Sequence, residues 1–306
     1  MTIAYKPKLD KISITVPIVG KHLQDDIVQA INDMNAAGPP NGYLWGSGGG
    51  YRRGVRMYLG PDAGFKRGTF LHLQAMPWGT GKRFMRLEWN PAEVGAAGLA
   101  SLQQDFNQFL PDWRERIQKD GKVTRVDIAC DFIGVKVDDV VVWSKWAKKL
   151  AMYTNAQGET ETLYLGAQES NQTVVYDRVA KIKQDNKVAK YDLEVQPVPK
   201  KPITRLERRL RTDIAVSDLL DMKNPLDGIS VYAPNPKDFP NALYRYPAFR
   251  NMAQMRGYKR AVASLPPAYR TKYEKKLLAS KAGWWDADSV WKHWPLALKK
   301  AGLLAP

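Results

Sequence analysis

Polar and apolar residues alternate along much of this chain, and this period-two pattern predicts β-strands. The segments that show it are 11–16, 54–59, 69–75, 83–89, 123–133, 162–165, 173–179 and 203–210. Apolar residues spaced by about 3.6 positions predict two helices, at 99–117 and 140–152. Strand, helix and strand follow one another twice. The pattern therefore predicts an α+β fold, with an antiparallel β-sheet core and packed helices, and it favours a duplicated unit.

Three of the predicted strands carry the same short motif, a basic residue followed by an aliphatic residue and an acid. The motifs are Arg86-Leu87-Glu88, Arg125-Val126-Asp127 and Arg205-Leu206-Glu207. The first and third residues of such a motif share one face of the strand. If the three strands are neighbours, three carboxylates meet on one polar surface, which suits a divalent metal beside a phosphodiester. The alternative is that each motif is an exposed ion pair, which contributes little to stability and needs no function.

The charge of the chain favours a polyanionic partner. The 306 residues carry a formal net charge of +16. Residues 244–300 contain 13 Lys and Arg residues against 3 Asp and Glu residues, and aromatic residues are interleaved with them. These rings either form the core of a small helical layer or stack on nucleobases. We predict a sheet domain at 1–215, a linker at 216–240, and a basic, mainly helical segment at 241–306 for DNA recognition.

Other residue types exclude several classes of site. The single cysteine, Cys130, rules out an intramolecular disulfide framework and a four-cysteine zinc site. The histidines, His22, His72 and His293, are far apart, so no His-hydrophobic-His pair is available to hold a metal. The N-terminal residues lack the apolar core of a signal peptide, and no run of about 18 apolar residues could span a membrane. We therefore expect a cytoplasmic protein without a membrane partner.

Four sequence blocks occur in order between residues 85 and 210. They are residues 85–91 (MRLEWNP), 124–132 (TRVDIACDF), 164–178 with YLG, SN and VYDR, and 205–207 (RLE). Together they resemble the replication initiation factor family, the nicking-closing initiators of rolling-circle plasmids and filamentous phages and some conjugative-element relaxases. Four blocks in register are a more specific signal than any one of them.

The resemblance implies that Tyr176 is the nucleophile that cuts one DNA strand. Its attack would leave a 5′-phosphotyrosyl link and a free 3′-hydroxyl primer, and the link would conserve bond energy for rejoining without ATP. This chain departs from the family pattern at Val175, before the tyrosine, and at Arg178, where lysine is more usual. Tyr164 is the rival nucleophile, and Tyr191 is a third.

A phenol with a pKa near 10 is a poor nucleophile at neutral pH, so cations or a metal must favour its phenolate. We assign Glu88, Asp127 and Glu207 as ligands for Mg²⁺ or Mn²⁺, since hard ions suit carboxylates. Asp131 ranks lower because it lies about 13 Å from Asp127 along a regular strand. The expected phosphate contacts are Arg125, Arg178, Lys181 and Arg205.

The leading hypothesis is a site- and strand-specific DNA nickase that initiates rolling-circle replication. Residues 1–215 would form its catalytic domain. The resemblance further implies origin DNA with a hairpin or single-stranded nick site, a homodimer and a host helicase as partners. One alternative is an origin-binding or repressor protein that binds DNA without cutting it. Another is an RNA-binding protein, because RNA attracts the same basic and aromatic residues.

Overall fold

A computed structural model describes residues 6–37, 43–45, 51–59, 69–77, 84–92, 94, 112–188, 195–241 and 245–304. The strands are β1 Lys8–Pro17, β2 Tyr43–Trp45, β3 Tyr51–Leu59, β4 Thr69–Pro77, β5 Phe84–Trp89, β6 Lys122–Ile133, β7 Val141–Ser144, β8 Leu150–Thr154, β9 Thr160–Leu165, β10 Gln172–Asp177, β11 Ile203–Ala215 and β12 Ile229–Tyr232. The helices are α1 Lys21–Ala37, α2 Trp113–Asp120, α3 Arg178–Val188, α4 Arg245–Arg256, α5 Tyr258–Ser264, α6 Pro267–Ala279, α7 Ala287–Trp291 and α8 Trp294–Lys300. The predicted α+β class with an antiparallel sheet is confirmed.

Ten of the described strands form one antiparallel sheet in the order β2-β3-β4-β5-β1-β6-β11-β10-β9-β8. β1 and β6 are adjacent at its centre. The two halves of the sheet have the same strand order. From the centre to the edge, β1 is followed by β5, β4, β3 and β2, and β6 is followed by β11, β10, β9 and β8. β5 and β11, which carry the two Arg-Leu-Glu motifs, therefore occupy equivalent positions. This repeated order supports the predicted duplication.

One face of the sheet is apolar because side chains alternate along the central strands. Ile12, Leu87 and Val126 point to this face and are almost completely buried. They belong to a core that also contains residues of α1, α2 and α8. The opposite face carries the Arg and acidic residues of the three motifs. The alternation in the sequence thus separates a structural face from a polar face.

The basic C-terminal segment packs against the rest of the chain. Trp294 of α8 is 1% exposed and lies in the same core as Ile14 of β1. Trp285 shares a second core with Phe132 of β6. Tyr273 of α6 is buried in a third core, with aromatic residues of α4. Five of the described rings in this segment are buried in cores and are therefore not available to stack on nucleobases: Tyr246, Phe249, Tyr273, Trp285 and Trp294.

Some predicted elements differ in the structure. The helix predicted at 140–152 is wrong: the segment forms β7 and β8, because its consecutive valines favour a strand and β7 pairs with β12. The predicted linker, 216–240, has ordered structure and packs in the core, since it contains β12 and the buried Leu226. The helix predicted at 99–117 lies mostly outside the described residues. Within the described part of the chain, no helix combines the length and apolar composition needed to cross a membrane.

Candidate active site on the polar face of the sheet

The predicted nucleophile lies in a row of directly opposed residues on the polar face. Tyr176 of β10 is opposite Arg205 of β11 on one side and Thr162 of β9 on the other. Arg205 is in turn opposite Asp131 of β6. Side chains in such a row are separated by about 5 Å at Cβ. The register therefore places the phenol beside a guanidinium group.

Two of the three predicted metal ligands continue diagonally from Tyr176. Glu207 is opposite Val174 on β10, two residues along β11 from the Tyr176 row. Asp127 of β6 is opposite Arg209, two residues further along β11. Diagonal neighbours of this kind lie about 7–8 Å apart. Tyr176, Glu207 and Asp127 thus form one oblique line across three adjacent strands.

Glu88 does not join this group. It is opposite Ser13 of β1, and β1 separates its strand from Asp127. Its carboxylate pairs with Arg86 on its own strand and with Lys11, at 3.5 Å. No group of three or more Asp, Glu, His or Cys residues that could hold a metal is found within the described ranges. The three acids share a face as predicted, but they do not converge on one point.

Two of the predicted metal ligands, Asp127 and Glu207, are buried and paired with arginine. Arg125 donates two hydrogen bonds to Asp127, at 2.9 and 2.6 Å, and Arg209 donates one to Glu207 at 2.6 Å. Asp127 is 1% exposed and Glu207 4%. Burial of a carboxylate is costly unless a charge and hydrogen bonds offset it. These buried pairs therefore differ from the exposed ion pairs that were the alternative interpretation of the motifs.

Arg205 of β11 pairs with acids on two other strands, β6 and β1. Its guanidinium group donates to Asp131 at 2.6 and 3.0 Å and to Asp10 at 2.8 Å. Asp10 reaches this face because the β1–β6 register shifts between Leu9 and Lys11, as at a β-bulge. Sequence reasoning missed Asp10. The available signal was the pair of consecutive polar residues, Asp10 and Lys11, in an otherwise alternating strand.

The pKa of the partly buried Tyr176 phenol is raised above its ordinary value. Burial is the largest cause, and the charges of Glu207 and Asp10 add to it. Arg205 and Arg178 lower the pKa but do not overcome burial. The arginine residues alone therefore leave the phenol protonated. Of the two expected causes, nearby cations or a metal, the arginine residues do not by themselves bring the pKa of the phenol below its ordinary value.

Helix α3 forms a wall beside Tyr176. The Asp177 carboxylate caps the helix by accepting hydrogen bonds from the amides of Val179 and Ala180, at 2.8 and 3.0 Å. The strand predicted at 173–179 therefore ends at Asp177, and sequence reasoning missed the helix that follows. Arg178, at the first position of α3, acts electrostatically on the phenol. The acid and base after the tyrosine thus have separate roles, one in capping and one in charge.

A cleft of about 710 Å³ lies between α3 and strands β9–β11. It is lined by Tyr164, Tyr176, Lys181, Lys183, Lys187 and Arg209, among others. Lys181 pairs with Asp185 at 2.9 Å. The rival nucleophile Tyr164 also faces the cleft and packs edge-to-face on Tyr153, with ring centroids 5.7 Å apart. Tyr191 lies outside the described residues.

Comparison with known proteins leaves the resemblance as a prediction. No protein-family model matches the chain, and no curated protein sequence matches it.

Proposed function

We propose that the chain is a DNA nicking-closing enzyme that forms a 5′-phosphotyrosyl intermediate at Tyr176. The observation that carries the proposal is the position of this phenol. It lies on the polar face opposite Arg205, in electrostatic contact with Glu207 and Asp10, and at the wall of a lysine-lined cleft. A phosphodiester in that cleft would meet a nucleophile and several cations together.

The proposed reaction exchanges one phosphoester bond for another. The Tyr176 oxygen attacks phosphorus, a new P–O bond forms, and the bond from phosphorus to the 3′ oxygen breaks. The phenolic proton is released to solvent, and the leaving oxygen takes up a proton to give a 3′-hydroxyl group. Attack by a 3′-hydroxyl on the phosphotyrosyl group reverses the sequence and rejoins the strand.

The proposal retains Mg²⁺ or Mn²⁺, with an altered ligand set. Asp10 and Glu207 are the carboxylates that act on the phenol, and carboxylate oxygens suit hard divalent ions. When bound there, such an ion would lower the pKa of the phenol and offset the negative charge on the phosphoryl oxygens. Glu88 does not contribute, because β1 and β6 lie between its strand and the strand of Glu207. A second copy of the chain and a host helicase remain expectations of the resemblance.

The test is the formation of a covalent adduct. The purified chain is mixed with Mn²⁺ and a supercoiled plasmid carrying the DNA that flanks its gene. We expect nicked circles whose nicked strand is linked to protein after denaturation, and we expect EDTA to prevent them. Tyr176→Phe should abolish the adduct, while the matched control Tyr153→Phe should retain it. A linked peptide that contains Tyr164 would overturn the assignment.

The second candidate is a DNA-binding protein that does not cut. The observation that favours it is the pairing of Asp127 and Glu207 with arginine, which gives these acids a structural role without catalysis. Binding to the same plasmid with no adduct under any divalent ion would support this alternative over the enzyme.

A further inference from the structure

We propose that Arg125, Arg209 and Arg211 form a second phosphate-binding pocket, which holds the backbone of the DNA strand at a distance from Tyr176. The ligand class is a phosphate group of a nucleic-acid strand. This inference rests on the proposed function, because it assigns a further contact to the same substrate.

The three arginines line a small cavity at one end of the polar face. The cavity has a volume of about 90 Å³ and is also lined by Gln168 and Ser170, from the turn between β9 and β10. It has room for several water molecules, and therefore for the oxygens of one phosphate group but not for a nucleoside. Guanidinium groups suit phosphate because their donors form a planar fork.

The cavity has an excess of positive charge. Arg125 and Arg209 are each paired with an acid on their own strand, Asp127 and Glu207. Arg211 is exposed and forms no ion pair with any residue in the described ranges. One of the three cations is therefore not neutralised. An anion that enters the cavity would offset this charge.

The wall of the cavity is held in one conformation. Gly166 has a φ of +107°, and a Cβ there would lie 2.7 Å from the carbonyl oxygen of Asn171. The Asn171 side chain accepts a hydrogen bond from the Arg211 amide at 2.8 Å, and the Gln172 side chain donates to the Gly166 carbonyl at 3.1 Å. Gly166 and Asn171 belong to the sequence blocks but have no role in the nicking reaction. Their role in shaping the cavity wall accounts for their presence there.

The position of the pocket separates it from the bond that is cut. Arg205 is beside Tyr176, whereas Arg209 and Arg211 lie about 13 and 20 Å further along β11. A phosphate held there belongs to another nucleotide of the same strand. The pocket would therefore fix the register of the strand over Tyr176.

The test measures binding without cleavage. The Tyr176→Phe protein binds a fluorescent single-stranded oligonucleotide over a range of salt concentrations, with and without Arg211→Gln. We expect Arg211→Gln to weaken binding several-fold and to reduce the slope of log affinity against log salt by about 0.7, the value for one lost phosphate contact. Arg211→Lys should retain most of the slope. The control is Arg114→Gln, on the exposed side of α2.

A slope for Arg211→Gln equal to that for Arg114→Gln would overturn the pocket. A methylphosphonate at the contacted phosphate should weaken binding to the arginine protein but not to the glutamine variant. The outcome is independent of the adduct test. An adduct with no Arg211 effect removes the pocket alone, and an Arg211 effect with no adduct removes the nickase alone.

Discussion

Arg205 contacts more of the polar face than any other residue described for the site. It is 6% exposed and bridges Asp131 and Asp10 across two strands. Burial works to lower the pKa of the Arg205 guanidinium, but the hydrogen bonds and charges of these acids outweigh it and raise the pKa above its ordinary value. Because three of its donors are used in this way, on the proposed function Arg205 mainly positions the acids around Tyr176, and phosphate contact is its secondary role. The sequence predicted the residue but not this division of roles.

The Arg205–Asp131 pair predicts an effect on stability. Burial works to raise the pKa of Asp131, but the hydrogen bonds and charges of Arg205 and Lys8 outweigh it and hold the pKa at about 2. We expect Asp131→Asn to lower the free energy of unfolding at neutral pH by about 2 kcal/mol. Urea unfolding measures it. Asp213→Asn, at an exposed surface pair, should change stability by less than about 1 kcal/mol.

The same pair gives the sign of the pH dependence. Because the folded pKa is below the ordinary value, the stabilisation is complete above about pH 4 and is lost as pH falls through about 2. Unfolding curves of the wild-type and Asp131→Asn proteins should therefore converge in acid. Curves that remain equally far apart there would show that the pair acts through packing.

The raised pKa of Tyr176 predicts how nicking depends on pH. Because burial keeps the phenol protonated, the reactive phenolate increases as pH rises. We expect the rate of adduct formation to increase from about pH 6 to pH 9 without a plateau. Single-turnover kinetics at saturating DNA measure this. A rate that does not change with pH over this range would contradict the dependence on the phenolate.

At the scale of elements, alternation decides which residues share a face, and this part was predictable. The Arg and acid of each motif lie together because their positions differ by two. Convergence also depends on strand order, which the alternation does not contain. Glu88 and Glu207 have the same motif, yet β5 lies on the far side of β1. The bulge that brings Asp10 to the site interrupts the alternation itself.

Helix α3 provides a prediction at this scale. Asp177 caps its N-terminus, and the helix carries the lysines of the cleft. We expect Asp177→Ala to destabilise the protein by about 1 kcal/mol and to weaken DNA binding through fraying of the first turn. Amide hydrogen exchange at Val179 and Ala180 measures the fraying. Asp177→Asn, which keeps an acceptor, should protect both amides, and unchanged exchange in the alanine variant would contradict the role.

At the scale of the whole molecule, the C-terminal helices and the sheet share buried residues. Trp294 packs with the central strands, and its indole donates to the Leu219 carbonyl at 2.7 Å. The composition of residues 241–306 predicted a separate unit because charge is visible in a sequence, whereas the partners of a buried aromatic residue are not. Arg256, Lys259 and Arg260 of this segment are exposed, and on the proposed function they remain available to DNA.

This shared core predicts one cooperative unfolding transition. We expect Trp294→Ala to lower the stability of the sheet and of the C-terminal helices together, by about 3–5 kcal/mol. Calorimetry combined with tryptophan fluorescence measures this. The control is Leu296→Ala, at an exposed position of the same helix. Two separate transitions, with only the second shifted, would show that the segment is an independent domain.

The repeated strand order has a consequence for stoichiometry. In the second half of the sheet, Tyr176 is opposite the arginine of the Arg-Leu-Glu motif; in the first half, residue 74, a glutamine, is opposite Arg86. An amide cannot form a phosphoester, so the equivalent row of the first half offers no second attachment point. On the proposed function, a chain whose Tyr176 already carries a DNA end must release that end, use Tyr164 of the same cleft, or borrow a tyrosine from another copy before a second cut.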